Sequence, residues 1–331
     1  MLSRTRVGQL LDPTRRILVI GEMMLDEFIW GKVSRISPEA PVPVVEVQKQ
    51  TFNAGGAANV ARNLRELVDD VHLLSLIGSG PDAVALRTLL GARGIQLDRV
   101  IADPSYTTIR KTRVIARNQQ VVRVDREARR GFTPEQLGEA LQHVEELLPS
   151  LDAIILEDYD KGLLTQELVD PVINSARRLG KIVTVDPKPS NSIAWHDVTC
   201  VTPNRSEAFR AAGRPLSDAV EPPLADKPLL EVGRILLEKW RCDHVLITLS
   251  EQGMILFDPN RAPHHIPTRA QEVVDVSGAG DTAIAVLTAA LAGGASPVEA
   301  AEIANHASGI VVAKTGTAVA MRDELLASFP S

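Results

Sequence analysis

The chain predicts a doubly wound α/β fold, a mostly parallel sheet with helices on both faces and a small β-strand lid. Two observations lead there. Short β-branched apolar runs alternate with longer helical patterns along most of the chain. Continuous apolar strands separated by helices imply a parallel sheet covered on both sides. Two further regions, 33–52 and 105–126, alternate polar and apolar residues instead, as half-exposed antiparallel strands do.

Taken in order, the strand runs are "RILVIG" (16–21), "VHLLSLIG" (71–78), "DAIILED" (152–158), "KIVTVD" (181–186) and "HVLITLS" (244–250). Helical patterns fall between them at about 57–68, 82–93, 134–148, 165–179, 228–241, 281–292 and 297–314. In the first exceptional region, Pro41 and Pro43 cannot donate ladder hydrogen bonds, so that strand begins at an edge. "GRPLSDAVEPPLADKP" (213–228) reads as a loop, and there is no repeat or low-complexity segment. The expectation is one domain over 1–331, with a lid from approximately 33–52 and 105–126 inserted in the α/β body.

Composition narrows the function classes. With 44% hydrophobic and 24% charged residues, the chain has an ordinary globular make-up, and 331 residues are ample for a core. A net charge of -6 argues against nucleic acid as the main partner. The basic run "RVDREARRG" (123–131) is interrupted by acids and reads as a solvated turn. Cys200 and Cys242 lie far apart, giving neither a disulfide framework nor a zinc pattern. The N-terminal stretch lacks an apolar signal segment and no run is long enough to span a membrane, so a cytoplasmic enzyme is expected.

Chemistry concentrates in "VVDVSGAGDTAIAVLTAALAGG" (273–294), a strand-like run breaking into glycines, an aspartate and an alanine-rich helix. The first N–H groups of a helix lack internal partners and carry positive potential, so Gly278, Ala279 and Gly280 can cradle an anion. Asp281 beside them could take a proton from a hydroxyl. The plainer alternative is a tight turn with an acid favouring the helix start. No GxxxxGK[ST] loop occurs, and Asp275 stands where a GxSxG elbow needs its first glycine. "NAGGAANVARNL" (53–64) sets Gly55 and Gly56 before Asn59 on an incoming helix. "TPNRSEA" (202–208) sets Asn204 and Glu207 on one side of a first helical turn, where they could simply form a capping box.

In order and spacing, the three stretches together resemble the ribokinase-like sugar kinases, the phosphofructokinase-B family, over nearly the whole chain. The resemblance implies ATP and Mg2+ as cofactors and a sugar substrate. It implies Asp281 as catalytic base and Gly278, Ala279 and Gly280 as anion hole. Asn204 and Glu207 would organise Mg2+ through water, with Lys188 near the ATP phosphates. Asp26, Gly55, Gly56 and Asn59 would grip sugar hydroxyls. "TLSEQG" is similar to the family's nucleotide-site T-x-G-x-x-G, placing Thr248 and Gly253 there, although Ser250 replaces the middle glycine. Asn305 would line the adenine pocket. "GSGPDAVALRTLL" keeps Asp82 of a G-x-D pattern but lacks the glycine expected three residues later.

"GKVSRISPEAPVPVVEV" (31–47), "ARNQQVVRVDRE" (116–127), "EDYDKGLLT" (157–165) and "DPKPSN" (186–191) further resemble the heptose-7-phosphate kinases of lipopolysaccharide core synthesis. These act on the anomeric hydroxyl of D-glycero-β-D-manno-heptose 7-phosphate, giving the 1,7-bisphosphate. A phosphorylated substrate needs cations, and "RKTR" puts Lys111 and Arg113 on one strand face with Arg110 on the other. An ordinary solvated strand face remains the alternative. Lys161 is a further cation, and Asp158 and Asp186 end strands where open α/β sheets bind ligands. The related bifunctional enzymes add a nucleotidyltransferase domain with H-x-G-H, a motif absent here, so a kinase with a separate adenylyltransferase downstream is expected. A kinase for another sugar phosphate, such as fructose 1-phosphate or tagatose 6-phosphate, and a non-catalytic kinase-fold binding protein are the rivals. A lid of few strands cannot bury both faces, so a homodimer through the lid is expected.

Overall fold

The computed structural model describes residues 2–117, 119–270 and 272–331. Its main sheet has eight strands in the spatial order Arg261–Ile266, Met254–Asp258, His244–Thr248, Cys200–Val201, Ile182–Asp186, Ala153–Glu157, Arg16–Gly21 and Asp70–Leu74. The six strands from His244–Thr248 to Asp70–Leu74 run parallel. Their side chains point alternately to two cores, because strand periodicity is two. Ile17 and Val19 pack with the helices Ala57–Arg65, Ala279–Ala292 and Pro297–Val312. Leu18 and Ile20 pack on the opposite face with Pro134–Leu147, Gln166–Arg178 and Lys227–Trp240. Each such fully buried aliphatic side chain contributes roughly 1.5–3 kcal/mol, so the two cores hold the sheet between helical layers.

Three differences from the sequence reading have physical reasons. The run at 71–78 is two strands, Asp70–Leu74 and Leu76–Ile77, the second pairing with Ile101–Ala102 in a sheet of its own. Ser75 makes the break: its hydroxyl donates to Gly21 O (2.7 Å) and accepts from Met23 N (3.3 Å). The run expected to reach residue 250 stops at Thr248, and the chain returns through the antiparallel strands Met254–Asp258 and Arg261–Ile266. These two are absent from the sequence reading.

The third difference concerns the second sheet. It has four strands in the order Pro43–Gly56, Met23–Ile36, Ile109–Ala116 and Gln119–Arg126. It therefore starts ten residues before the alternation at 33–52 and runs on to Gly56. Residues Met23 to Phe28 are all buried, so the first half of that long strand carries no polar–apolar alternation to read. The strand Pro43–Gly56 does begin at a proline, as the missing N–H requires.

One helix sets the position of the site. Ala279–Ala292 runs against the strands Ile182–Asp186 and Ala153–Glu157 and beside the helices Ala57–Arg65 and Pro297–Val312. Its alanines allow this close approach. Two buried hydroxyls lock it: the Thr184 and Thr288 Oγ1 atoms share a hydrogen bond of 2.6 Å, and Thr282 donates to Asn63 Oδ1 at 2.9 Å. Its N-terminus thereby lies near the carboxyl ends of the parallel strands, where open α/β sheets bind ligands. Among the described residues no helix is long and apolar enough to cross a membrane, and Cys200 and Cys242 are buried free thiols.

Candidate active site

The strand ends deliver an unusual density of acid. Glu22 follows Arg16–Gly21, Glu157 ends the neighbouring strand with Asp158 directly after it, and Asp186 ends the strand beyond. Asp281 enters from above, in the first turn of Ala279–Ala292. Gly278 caps that helix with φ +80°, a left-handed backbone that glycine adopts freely. A Cβ there would also lie 2.8 Å from the Asn59 amide nitrogen.

Both oxygens of Asp281 are held. Asn59 Nδ2 donates to Oδ2 at 2.7 Å and the Tyr159 hydroxyl donates to Oδ1 at 2.8 Å. Burial raises its proton affinity above that of an ordinary aspartate; the two hydrogen bonds oppose that rise and the nearby charge of Asp26 adds to it. A buried carboxylate with elevated proton affinity, fixed in orientation, is suited to accept a proton from a hydroxyl. Beside it the Gly280 N–H sits in the first turn, where helix geometry offers no intrahelical acceptor. Ala279 differs from the expected anion hole in one respect: its N–H already donates to Val276 O at 3.2 Å.

Two openings meet at this helix start. One is a mainly apolar cleft of about 920 Å³ lined by Thr248, Gly253, Val273, Val276, Asn305 and Gly309, among others. Asn305 donates to Pro267 O at 2.7 Å, which fixes its amide in the cleft wall. Ser250, in place of the expected glycine, has φ +54°, so the turn keeps its left-handed residue at some cost in strain. The other opening is a polar gap of about 530 Å³ lined by Asp158, Tyr159, Asp186, Lys188, Asn204 and Glu207. Thr248 and Gly280 line both, so an apolar compartment leads into a polar one beside Asp281.

The pair at 204 and 207 forms the capping box that the sequence left open. Asn204 Oδ1 accepts from Glu207 N (3.0 Å) and Glu207 Oε2 accepts from Asn204 N (3.1 Å). Glu207 also keeps an oxygen in the gap, where Lys188 Nζ donates to Oε1 at 2.7 Å. Capping and a ligand role are therefore compatible in one side chain. Among the described residues no group of three or more His, Cys, Asp or Glu is arranged to hold a metal directly.

In the second sheet, Asp26 is 4% exposed and takes Arg113 Nη1 at 2.5 Å. Gly55 is required there: a Cβ would come within 2.2 Å of Asp26 Oδ2. Arg113 also lies over the Phe28 ring, 5.2 Å from its centroid, so it braces Asp26. Lys111 stands 3.8 Å from both Asp125 and Glu127, and Lys161 binds the same Glu127 at 2.6 Å. Arg110, on the other face, pairs with Glu27 and Asp82. Asp158 shares the wall of the polar gap with Lys188 and Glu207.

Comparison with known proteins is decisive at this point. The pfkB family carbohydrate kinase model matches residues 14–324. The chain belongs to this family. A pfkB-family member is an ATP-dependent carbohydrate kinase. Curated relatives include bifunctional protein HldE of Desulfatibacillum aliphaticivorans, 43% identical over 94% of this chain and 62% of the relative. Its namesake in Geobacter sulfurreducens is 42% identical over 94% and 62%. The chain thus spans less than two thirds of the length of these relatives. Among solved structures, Arabidopsis thaliana ribokinase complexed with ribose and ATP superposes with a TM-score of 0.75 at 18% identity, covering 95% of this chain and 98% of that one. Escherichia coli phosphofructokinase-2 in complex with potassium gives 0.77 at 18%, covering 96% and 99%. At such identities these structures speak for the fold.

Within the pfkB frame, three site residues escaped the sequence reading: Glu22, Glu157 and Tyr159. Glu157 is fully buried with neither carboxylate oxygen bonded, and burial, then Asp186 and Asp281, push its proton affinity well up. A charged residue closing an apolar strand run was the available signal for both glutamates. Tyr159 lies in the stretch "EDYDKGLLT" that carries part of the resemblance, but no pattern there assigned it a role of its own.

Asp158 gives a pH test of this carboxylate cluster. It is 3% exposed, and burial followed by Glu22 raises its pKa to about 7. In the unfolded chain it ionises near the ordinary aspartate value, so the folded form alone keeps its proton between those limits. Stability from this group is therefore present below the unfolded value and is lost as pH rises towards 7. Asp158→Asn should raise the melting temperature more at pH 8 than at pH 4, measured by calorimetry; equal shifts at both would contradict the burial argument.

Proposed function

We propose that this kinase transfers the γ-phosphoryl group of ATP to the anomeric hydroxyl of D-glycero-β-D-manno-heptose 7-phosphate, producing the 1,7-bisphosphate in ADP-heptose and lipopolysaccharide core synthesis. The observation that carries the reading is Asp281, held through both oxygens and directly following Gly280, which lines both the apolar cleft and the polar gap. The nucleobase occupies the apolar cleft and the phosphates the polar gap. The sugar lies against Asp26 and Asn59 beneath the second sheet. Asp281 takes the hydroxyl proton as the sugar oxygen bonds to the γ-phosphorus, and the bond to ADP breaks. The Gly280 N–H and Lys188 meet the charge on the transferring group.

Two findings favour a heptose phosphate over a plain sugar. The relatives at 42–43% identity carry the name bifunctional protein HldE. Lys111 and Lys161 both lie against Glu127, two cations that a sugar phosphate can recruit from one carboxylate.

Mg2+ fits the gap by its donor set: hard oxygen ligands are present, and Mg2+ keeps several waters and phosphate oxygens instead of a protein cage. Glu207 and Asn204 would hold it through water, and the ion would neutralise phosphate charge. Glu207→Gln keeps an acceptor for the cap, so its fold should survive. Its half-saturating Mg2+ concentration should rise severalfold while the sugar KM moves little; an unchanged Mg2+ titration would remove Glu207 from this role.

Asp281→Asn should bind ATP normally and lose roughly 10²–10⁴-fold in turnover. ADP release measured with heptose 7-phosphate, fructose 1-phosphate and tagatose 6-phosphate should show the first preferred by wild type. Preference for another panel member would replace the proposed substrate but keep the mechanism.

A homodimer through the second sheet is also proposed. Ile36, Val47, Val122 and Val124 are exposed on it, at 61%, 62%, 47% and 56%, and an apolar sheet surface with open edges favours a partner. Light scattering should give twice the chain mass, and Val45→Glu should shift it towards monomer with weaker sugar binding. A fully active monomer at micromolar concentration would rule the dimer role out.

A further inference from the structure

Glu22 is 2% exposed and is wrapped by the backbone of the loop that follows Asp158. Its Oε2 accepts from Tyr159 N at 3.0 Å, and its Oε1 from Lys161 N and Leu163 N at 3.1 and 3.0 Å. Asp160 and Gly162 have left-handed φ values of +55° and +97°, and a backbone that alternates in this way turns successive N–H groups to one side, forming a concave anion nest. Here the anion is the protein's own carboxylate. The loop from Tyr159 to Leu163 is therefore fixed by a residue at the end of the first sheet strand.

From that fixed loop the Tyr159 hydroxyl reaches Asp281 Oδ1. The other oxygen is held by Asn59, whose own Oδ1 accepts from Arg62 Nη1 at 3.3 Å. Two donors from different elements thus fix the carboxylate plane and leave its remaining lone pairs for the hydroxyl that reacts. Burial, and then the neighbouring acids, hold the Tyr159 proton in place far above neutral pH, so the phenol acts as a donor.

We infer that Tyr159 is a positioning residue for the proton-accepting carboxylate of Asp281, aimed by the Glu22 nest. This rests on the reading of Asp281 as the base. The titratable and charged groups facing Asp281 are Asp26 from the second sheet, Glu157 and Asp186 from the main sheet, and Arg62 behind Asn59. Each of these acids favours protonation of Asp281 when it is itself ionised, as Asp26 does. The Tyr159 hydrogen bond favours the ionised form that the reaction needs. Removing it must raise the proton affinity of Asp281 and release its rotation.

The test compares Tyr159→Phe, Glu22→Gln and Asp281→Asn with wild type, using ATP and the panel sugar that wild type turns over. For Tyr159→Phe, kcat should fall roughly tenfold or more, the worth of one hydrogen bond to a charged group. The KM for ATP should stay within about twofold, and the acid limb of the kcat–pH profile should move to higher pH. Glu22→Gln should move the limb in the same direction, because a loosened nest misplaces the phenol. A ring that only packs would lower the melting temperature of Tyr159→Phe and leave the limb where it is; that outcome overturns the inference. An inactive Asp281→Asn beside an unshifted Tyr159→Phe refutes the role of Tyr159 alone. An active Asp281→Asn refutes the base assignment, and this inference with it.

Discussion

The site depends on where one helix begins. Ala279–Ala292 is clamped to the central sheet through the Thr184–Thr288 hydrogen bond and to its neighbour through Thr282 and Asn63. These contacts are buried, and polar groups buried without a partner cost about 1–3 kcal/mol each, so the helix cannot slide without breaking them. Its first turn is consequently a fixed point, carrying open N–H groups and Asp281 to the strand ends. The apolar cleft, the polar gap and the buried Asp26 carboxylate are all arranged around it.

That point is surrounded by acids, which has an energetic consequence. Glu22, Glu157, Asp158 and Asp186 all have raised proton affinity, each first through burial. The protein relieves this crowding in different ways at different positions. Glu22 is satisfied by three backbone N–H groups. Asp186 lies near Lys188, which lowers its proton affinity in part. Glu157 has no bonded oxygen and is most simply accommodated as the neutral acid. Asp281 has each oxygen held by a neutral side-chain donor, an arrangement that favours its ionised form in the middle of the cluster.

The second sheet shows the limits of pattern. Its exposed half alternates and was legible, while the stretch from Met23 to Phe28 is buried throughout and carries two adjacent acids, so no period-two pattern marks it. The same masking hid Glu22: a glutamate after "RILVIG" gives no sign that a loop some 140 positions later will wrap it. The Asn204 and Glu207 pair was legible as either cap or ligand, and the structure forms the cap while leaving one Glu207 oxygen on Lys188. Arg113 was legible as a cation on the correct face, but its pairing with Asp26 needed the register of two strands joined in parallel across a long connection.

By itself the sequence determined the alternation of strand and helix and the glycine turn before Asp281. Those features are local, set by periodicity two or 3.6, by caps and by backbone freedom. Tertiary structure alone decided which polar groups meet: Tyr159 and Asn59 on Asp281, Glu22 in its nest, and two lysines on Glu127. Such pairs join residues far apart in the chain, and a hydrogen bond depends on placement within a few tenths of an ångström. Only the packing of the sheet against its helices sets distances that finely.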